Sequence, residues 1–298
     1  MLTMIATTLL AAAASGQQAA PAAATWQDCA SCHEEVVASF ASTTHARLKS
    51  WEVADGDVGC AACHGDPTAH LESGDASTLR RFGQDVGADS AACLSCHAAR
   101  GMSEWDASAH SGEVACTTCH SMHTPSAPSK ACATCHADVQ NLVMHSPSRH
   151  PVREGKMTCA SCHDVHAANP GALKTDERKN DLCVTCHTAQ EGPFVFEHAP
   201  VQEDCAICHQ PHGSVANNLL VANDPYLCLQ CHEFHFHAGY RSEEATSVTV
   251  GGKTYPNVLG EHGYQKSFAT KCTQCHVKVH GTDLPSQTVP SSGRALLR

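Results

Sequence analysis

The chain has 298 residues, of which 5% are aromatic, and 30 acidic against 19 basic side chains give it a formal charge of −11. That balance excludes the clustered lysine and arginine on which nucleic-acid binding depends. So few bulky side chains cannot fill an ordinary core for a chain of this length, and 20 cysteines with 23 histidines take their place as the distinctive composition.

Residues 1–24 read as a signal peptide, with the mature domain over 25–298. The apolar stretch from Leu2 to Ala14 is followed by small residues suited to cleavage, although no basic residue precedes it. That stretch is too short to span a bilayer as a permanent helix, no later segment is apolar enough, and no cysteine near the cleavage point supports a lipid anchor.

From Cys29 onward, Cys-x-x-Cys-His occurs ten times and uses every cysteine. The cysteine pairs are Cys29 and Cys32, Cys60 and Cys63, Cys93 and Cys96, Cys116 and Cys119, Cys132 and Cys135, Cys159 and Cys162, Cys183 and Cys186, Cys205 and Cys208, Cys228 and Cys231, and Cys272 and Cys275. The histidines that close them are His33, His64, His97, His120, His136, His163, His187, His209, His232 and His276. Two thiols at this spacing form thioethers with the vinyl groups of a haem, and the adjoining imidazole reaches the iron from one face. Cys₄ zinc ribbons would explain paired CxxC, and a disulfide framework would explain the even count, but neither explains why each pair is followed by histidine. Ten c-type haems are therefore expected.

Thirteen histidines lie outside the motifs, enough for a second imidazole on every iron. Ten recur at regular places: His45, His70, His110, His123, His150, His166, His198, His212, His262 and His280. On that count His145, His235 and His237 are spare. The pattern CxxCH, His, CxxCH, xxHis over 93–123, 132–166 and 183–212, with looser versions over 29–70 and 228–280, divides the chain into five tandem di-haem units. In CHxxH the second histidine follows the first by about one helical turn, so both point the same way and cannot take opposite faces of one iron. His123, His166 and His212 must each serve a haem other than their own motif's, most simply the preceding haem of the unit. Met102, Met122, Met144 and Met157 are read as packing residues, since histidine is in surplus.

The expected fold is a multihaem cytochrome c: elongated and mostly irregular, with short helices at the CxxCH motifs, almost no sheet, and haems forming the core as a linear wire. One exception is Ser247–Tyr255, where alternating β-formers flank Gly251-Gly252 as a two-residue hairpin. Thr124 to Lys130, TPSAPSK, is a Pro/Ser spacer.

The ten motifs, HPVREGKMTCASCHDVH at 150–166 and GPFVFEHAPVQEDCAICHQPHGS at 192–214, followed by LCLQCH, resemble the MtrA/DmsE/PioA decahaem cytochromes. The resemblance runs from about Cys29 to His280. It implies bis-histidine haems arranged as a nanowire within an outer-membrane β-barrel of the MtrB/PioB type, carrying electrons between periplasm and cell exterior. Periplasmic or inner-membrane redox cytochromes at one end, and an extracellular cytochrome or reductase at the other, are the implied partners. His45, His110, His150, His198 and His262 match by position the histidines between paired motifs. The 30-residue gap from His232 to His262 and the six-residue step from His64 to His70 depart from the regular spacing.

Saturated irons leave no open position for a substrate, so an electron carrier is expected rather than an enzyme, with no catalytic residues. Two imidazoles also hold each haem at lower potential than a His/Met pair. A soluble periplasmic shuttle or reservoir feeding a terminal reductase uses the same residues. A multihaem reductase would need a five-coordinate haem, often marked by lysine in place of a motif histidine, and all ten motifs end in histidine.

Overall fold

In a computed structural model of the chain, the described residues are 25–48, 59–124, 131–175, 177–232, 247–250, 253–256, 271–284 and 296. The leader region, most of the Pro/Ser spacer, and His235, His237 and His262 lie outside them. The chain forms two compact units, Met1–Arg81 with Met122–Pro125, and Phe82–Ser121 with Ser126–Arg298. The first takes in the end of the 93–123 repeat, since His123 belongs with it.

Within the first unit, α1 (Trp26–Ala30) begins where the Asp28 carboxylate accepts from the Thr25 N–H at 2.7 Å and from its hydroxyl at 2.8 Å, satisfying groups left over at a helix start. It packs on α2 (Glu34–Phe40) through Trp26 and Phe40, whose rings are 5.3 Å apart. Then α3 (Cys60–His64) carries the second motif, and α4 (Thr68–Ser73) carries His70 and stops at Gly74, whose φ of 73° suits glycine.

In the second unit, α5 (Val86–His97) is the longest described helix at 12 residues, capped by Asp85 accepting from the Ala88 N–H at 2.9 Å and ending on the third motif. It is followed by α6 (Cys116–Cys119), α7 (Cys132–Cys135), α8 (Ala137–His145), α9 (Lys179–Val184) and α10 (Ala199–Glu203). The motifs at Cys159, Cys205, Cys228 and Cys272 form 3₁₀ turns instead. No described helix is long and apolar enough to cross a membrane.

The expected hairpin is present: β1 (Ser247–Val250) pairs antiparallel with β2 (Lys253–Pro256), Ser247 opposite Pro256 and Val250 opposite Lys253. The described residues also form four isolated antiparallel bridges, of which the periodicity of the sequence gives no sign: Ser148 with Ser214, His163 with Leu173, Phe196 with Thr282, and His209 with Leu220. Elsewhere the fold is the expected succession of short helices and irregular chain. Among the described residues the buried apolar side chains are Trp105, Ala115, Val143, Ala172 and Ala216, three of them alanine. Such a scatter is no continuous core, and the apolar surface that organises the fold must come from porphyrin.

Candidate haem sites

Each motif is one helical turn. The N–H of the closing histidine donates to the carbonyl of the first cysteine at 2.9 Å in His33, His120, His136, His232 and His276, and at 3.0 Å in His163, His187 and His209. That turn places two thiols and one imidazole on the same side, as attachment to a single haem requires.

Imidazoles then meet in pairs at a near-constant separation. His33 faces His70 with ring centroids 6.2 Å apart, His64 faces His123 at 6.0 Å, and His110 faces His136 at 6.2 Å. The series continues with His120 and His166 at 6.0 Å, His150 and His187 at 6.2 Å, and His163 and His212 at 6.0 Å. His198 and His232 stand at 5.9 Å, His209 and His280 at 6.1 Å. This is too far for rings stacked in contact. An imidazole nitrogen lies about 2 Å from a bound metal ion and about 1.1 Å from its ring centre, so two axial imidazoles stand roughly 6 Å apart. Every pair joins one motif histidine to one histidine outside the motifs. The residues present fit a bis-histidine iron.

The second ring nitrogen is used as well. Nδ1–H donates to a backbone carbonyl in His64 (Arg80, 3.1 Å), His70 (Asp75, 3.1 Å), His150 (Pro211, 3.0 Å), His163 (Gly171, 2.9 Å), His198 (Val279, 3.0 Å) and His209 (Asn218, 2.9 Å). Because a carbonyl only accepts, it fixes the tautomer and leaves Nε2 free as ligand. Burial, then the partner imidazole, lowers the pKa of His120, His123, His212 and His280, favouring the neutral form that binds metal.

The partners differ from the simplest sequence expectation. His123, His166 and His212 face not the preceding motif of their own unit but the motif before that: His64, His120 and His163. Conversely, His110, His150 and His198 face forward, to His136, His187 and His232. The reason is that the pairing rests on contacts between distant segments, as with His150 on the Pro211 carbonyl, and sequence spacing carries no sign of them. His45 opens a 3₁₀ turn, His45–Arg47, while His97 closes α5 and His276 follows the last turn. His145 ends α8 exposed, and among the described residues it faces no imidazole.

Within each compact unit, successive motifs are neighbours. The Cys29 thiol meets that of Cys60, Cys132 meets Cys159, Cys183 meets Cys205, and Cys228 meets Cys272. Burial and these neighbours raise all four first-named thiols, Cys183 to about 11. Burial, then Cys132, raises Cys119; burial, then Cys186, raises Cys162; burial, then Cys231, raises Cys208. Polar contacts set two of these junctions. Buried Asn180 donates to Val201 O and accepts from the Cys205 N–H, both at 2.8 Å, and Asp224 accepts from the Thr273 hydroxyl at 2.6 Å. None of the 20 cysteines is in a disulfide, and among the described residues the one cluster of three metal-competent groups is Asp224, Cys228 and Cys272. Zinc ribbons and a disulfide framework do not fit.

The family of the doubled CXXCH motif matches residues 150–192 and 198–235, and that of the NrfB-like c-type cytochrome proteins matches 60–130. The chain is 30% identical over 272 residues to the multiheme cytochrome MtrA of Shewanella baltica strain OS185, covering 87% of this chain and 78% of that one. It is 28% identical over 109 residues to the cytochrome c-type protein NrfB of Escherichia coli O6:H1 strain CFT073, covering 32% of this chain and 57% of the other. With the motifs and imidazole pairs described above, these matches make the protein a carrier of electrons on c-type haem rather than an enzyme. The chain belongs to the family of the multihaem cytochrome MtrA.

Proposed function

We propose that this protein holds ten bis-histidine haems in sequence order and conducts electrons along them through the outer membrane, inside a β-barrel of the MtrB/PioB type. The observation that carries the reading is the unbroken adjacency of motifs within the second unit: His97 lies beside His120, and neighbouring cysteines then link the fourth motif to the fifth and so on to the tenth. Bound haems supply one reversible electron couple each. The chain's own residues orient both axial imidazoles, fix their tautomers and leave no ligand position for a substrate. Periplasmic or inner-membrane cytochromes exchange electrons at one end, and an extracellular cytochrome or reductase at the other. The export signal and extracytoplasmic haem attachment support a periplasmic protein bound to the outer membrane through its barrel.

Paramagnetic resonance of the oxidised protein is expected to show low-spin iron only. The His110–His136 site should be separable from the rest, since its rings cross at 82° whereas six of the eight pairs lie within 25° of parallel. A stoichiometric high-spin haem would refute the ligand set.

The conduit itself is tested in liposomes loaded with a reduced dye. External ferric citrate should oxidise the dye only when cytochrome and barrel are inserted together. Equal rates without the barrel, or no formation of a complex with it, would favour the soluble shuttle.

A further inference from the structure

Two segments of the second unit repeat one contact. In the first, Ser148 and Ser214 exchange backbone hydrogen bonds at 3.1 and 2.9 Å, and two residues on His150 donates from Nδ1 to the carbonyl of Pro211, the residue before His212. In the second, Phe196 and Thr282 exchange bonds at 2.9 and 3.0 Å, and His198 donates to the carbonyl of Val279, the residue before His280. Resting on the bis-histidine reading, His150 and His212 serve different haems, those of His187 and His163; His198 and His280 likewise serve those of His232 and His209.

A glycine follows the inner histidine both times. Gly213 has φ 140°, and a Cβ there would come within 2.7 Å of Leu142 O and Ser146 Oγ. Gly281 has φ 122°, and a Cβ there would fall on the ring of Phe194. Both glycines are buried. His166, at the corresponding place one repeat earlier, is followed by Ala167, and the Ala168 N–H donates instead to the Glu104 carboxylate at 3.2 Å. The contact is therefore a particular device and not a general property of CHxxH.

We propose that the two His-Gly-[Ser/Thr] segments are clamps that couple the axial ligands of consecutive haems, with Gly213, Gly281 and Phe194 as positioning residues. One hydrogen bond ties the outer imidazole of one haem to the backbone that carries the outer imidazole of the next, so their orientations change together. The strength of an Nδ1–H bond sets the basicity of the ligating nitrogen, and a disturbance at one iron thereby reaches its neighbour's potential. Both clamps lie at junctions between di-haem repeats, where the thiols of Cys162 and Cys208 neighbour Cys186 and Cys231.

The test uses the full haem-loaded protein, whose wild-type low-spin spectrum independently establishes the ligand set. Single variants His198→Ala and His280→Ala each open one haem to carbon monoxide and so identify its signal. Gly281→Ala is expected to shift both of those signals and admit up to two carbon monoxide molecules per chain. Gly155→Ala, at a φ of 69° with no heavy atom near its Cβ position, should shift neither. Phe194→Ala combined with Gly281→Ala removes the ring in the way and should restore part of both signals, the φ of 122° still straining the alanine. If Gly281→Ala does not accumulate, Asp283→Ala, which removes only the acceptor of the Val195 N–H at 2.9 Å, should shift the same two signals to a smaller extent. Perturbation of a single haem or of none, or no rescue by the double variant, would overturn the clamp while leaving the ligand set intact.

Discussion

A chain produced without haem attachment is expected to have no stable tertiary structure. Side-chain packing alone buries five apolar residues among those described, and three are alanines, whereas a domain of this size ordinarily buries about three-quarters of the surface its unfolded chain exposes. Conformational entropy of about 1–2 kcal/mol per ordered residue has nothing to oppose it except short helices, and helices shorter than about 12 residues are marginal by themselves. Axial bonds and porphyrin faces supply the difference, as metal bonds do in other small metal-dependent domains. Amide proton spectra of cytoplasmically expressed, haem-free chain should show the narrow dispersion of an unfolded polypeptide, and limited proteolysis should leave no protected fragment. A protease-resistant haem-free unit would show that polypeptide packing does more than the structure indicates.

The second large effect separates two ligand schemes. His123 faces His64, although the shortest path in sequence assigns it to His97. His123→Ala should convert one low-spin haem into one that binds carbon monoxide. Adding His64→Ala alters the same site again, so one haem remains affected; adding His97→Ala should bring the number to two. The reverse pattern would restore the shorter path. Corresponding pairs, His166 with His120 and His212 with His163, should behave in the same way.

What could be read from residues alone was set by covalent spacing. CxxCH closes within one turn, so its chemistry needs no tertiary information, and the surplus of histidine already implied two imidazoles per iron. CHxxH likewise excluded self-ligation, because residues at that spacing share a helical face. The choice between one motif back and two was not legible, since it rests on contacts such as His150 to Pro211, 61 residues apart. The hairpin at 247–256 was legible because alternation and Gly-Gly are local signals. The bridges at Ser148–Ser214 and Phe196–Thr282 span one residue on each side, too short for periodicity. Their trace in the sequence is the repeated His-Gly followed by Ser or Thr, at His212 and His280.

The direction of the imidazole pairs also sets a timetable. A chain exported amino terminus first presents His110, His150 and His198 before the motifs of His136, His187 and His232, which they face. Those sites can close as soon as they emerge. The sites of His33, His64, His120, His163 and His209 must wait for His70, His123, His166, His212 and His280, which emerge later. On the proposed ligand set, alternate irons from His120 to His232 would pass through a stage with a single protein ligand, open to oxygen and peroxide, and a stall in export would strand them there.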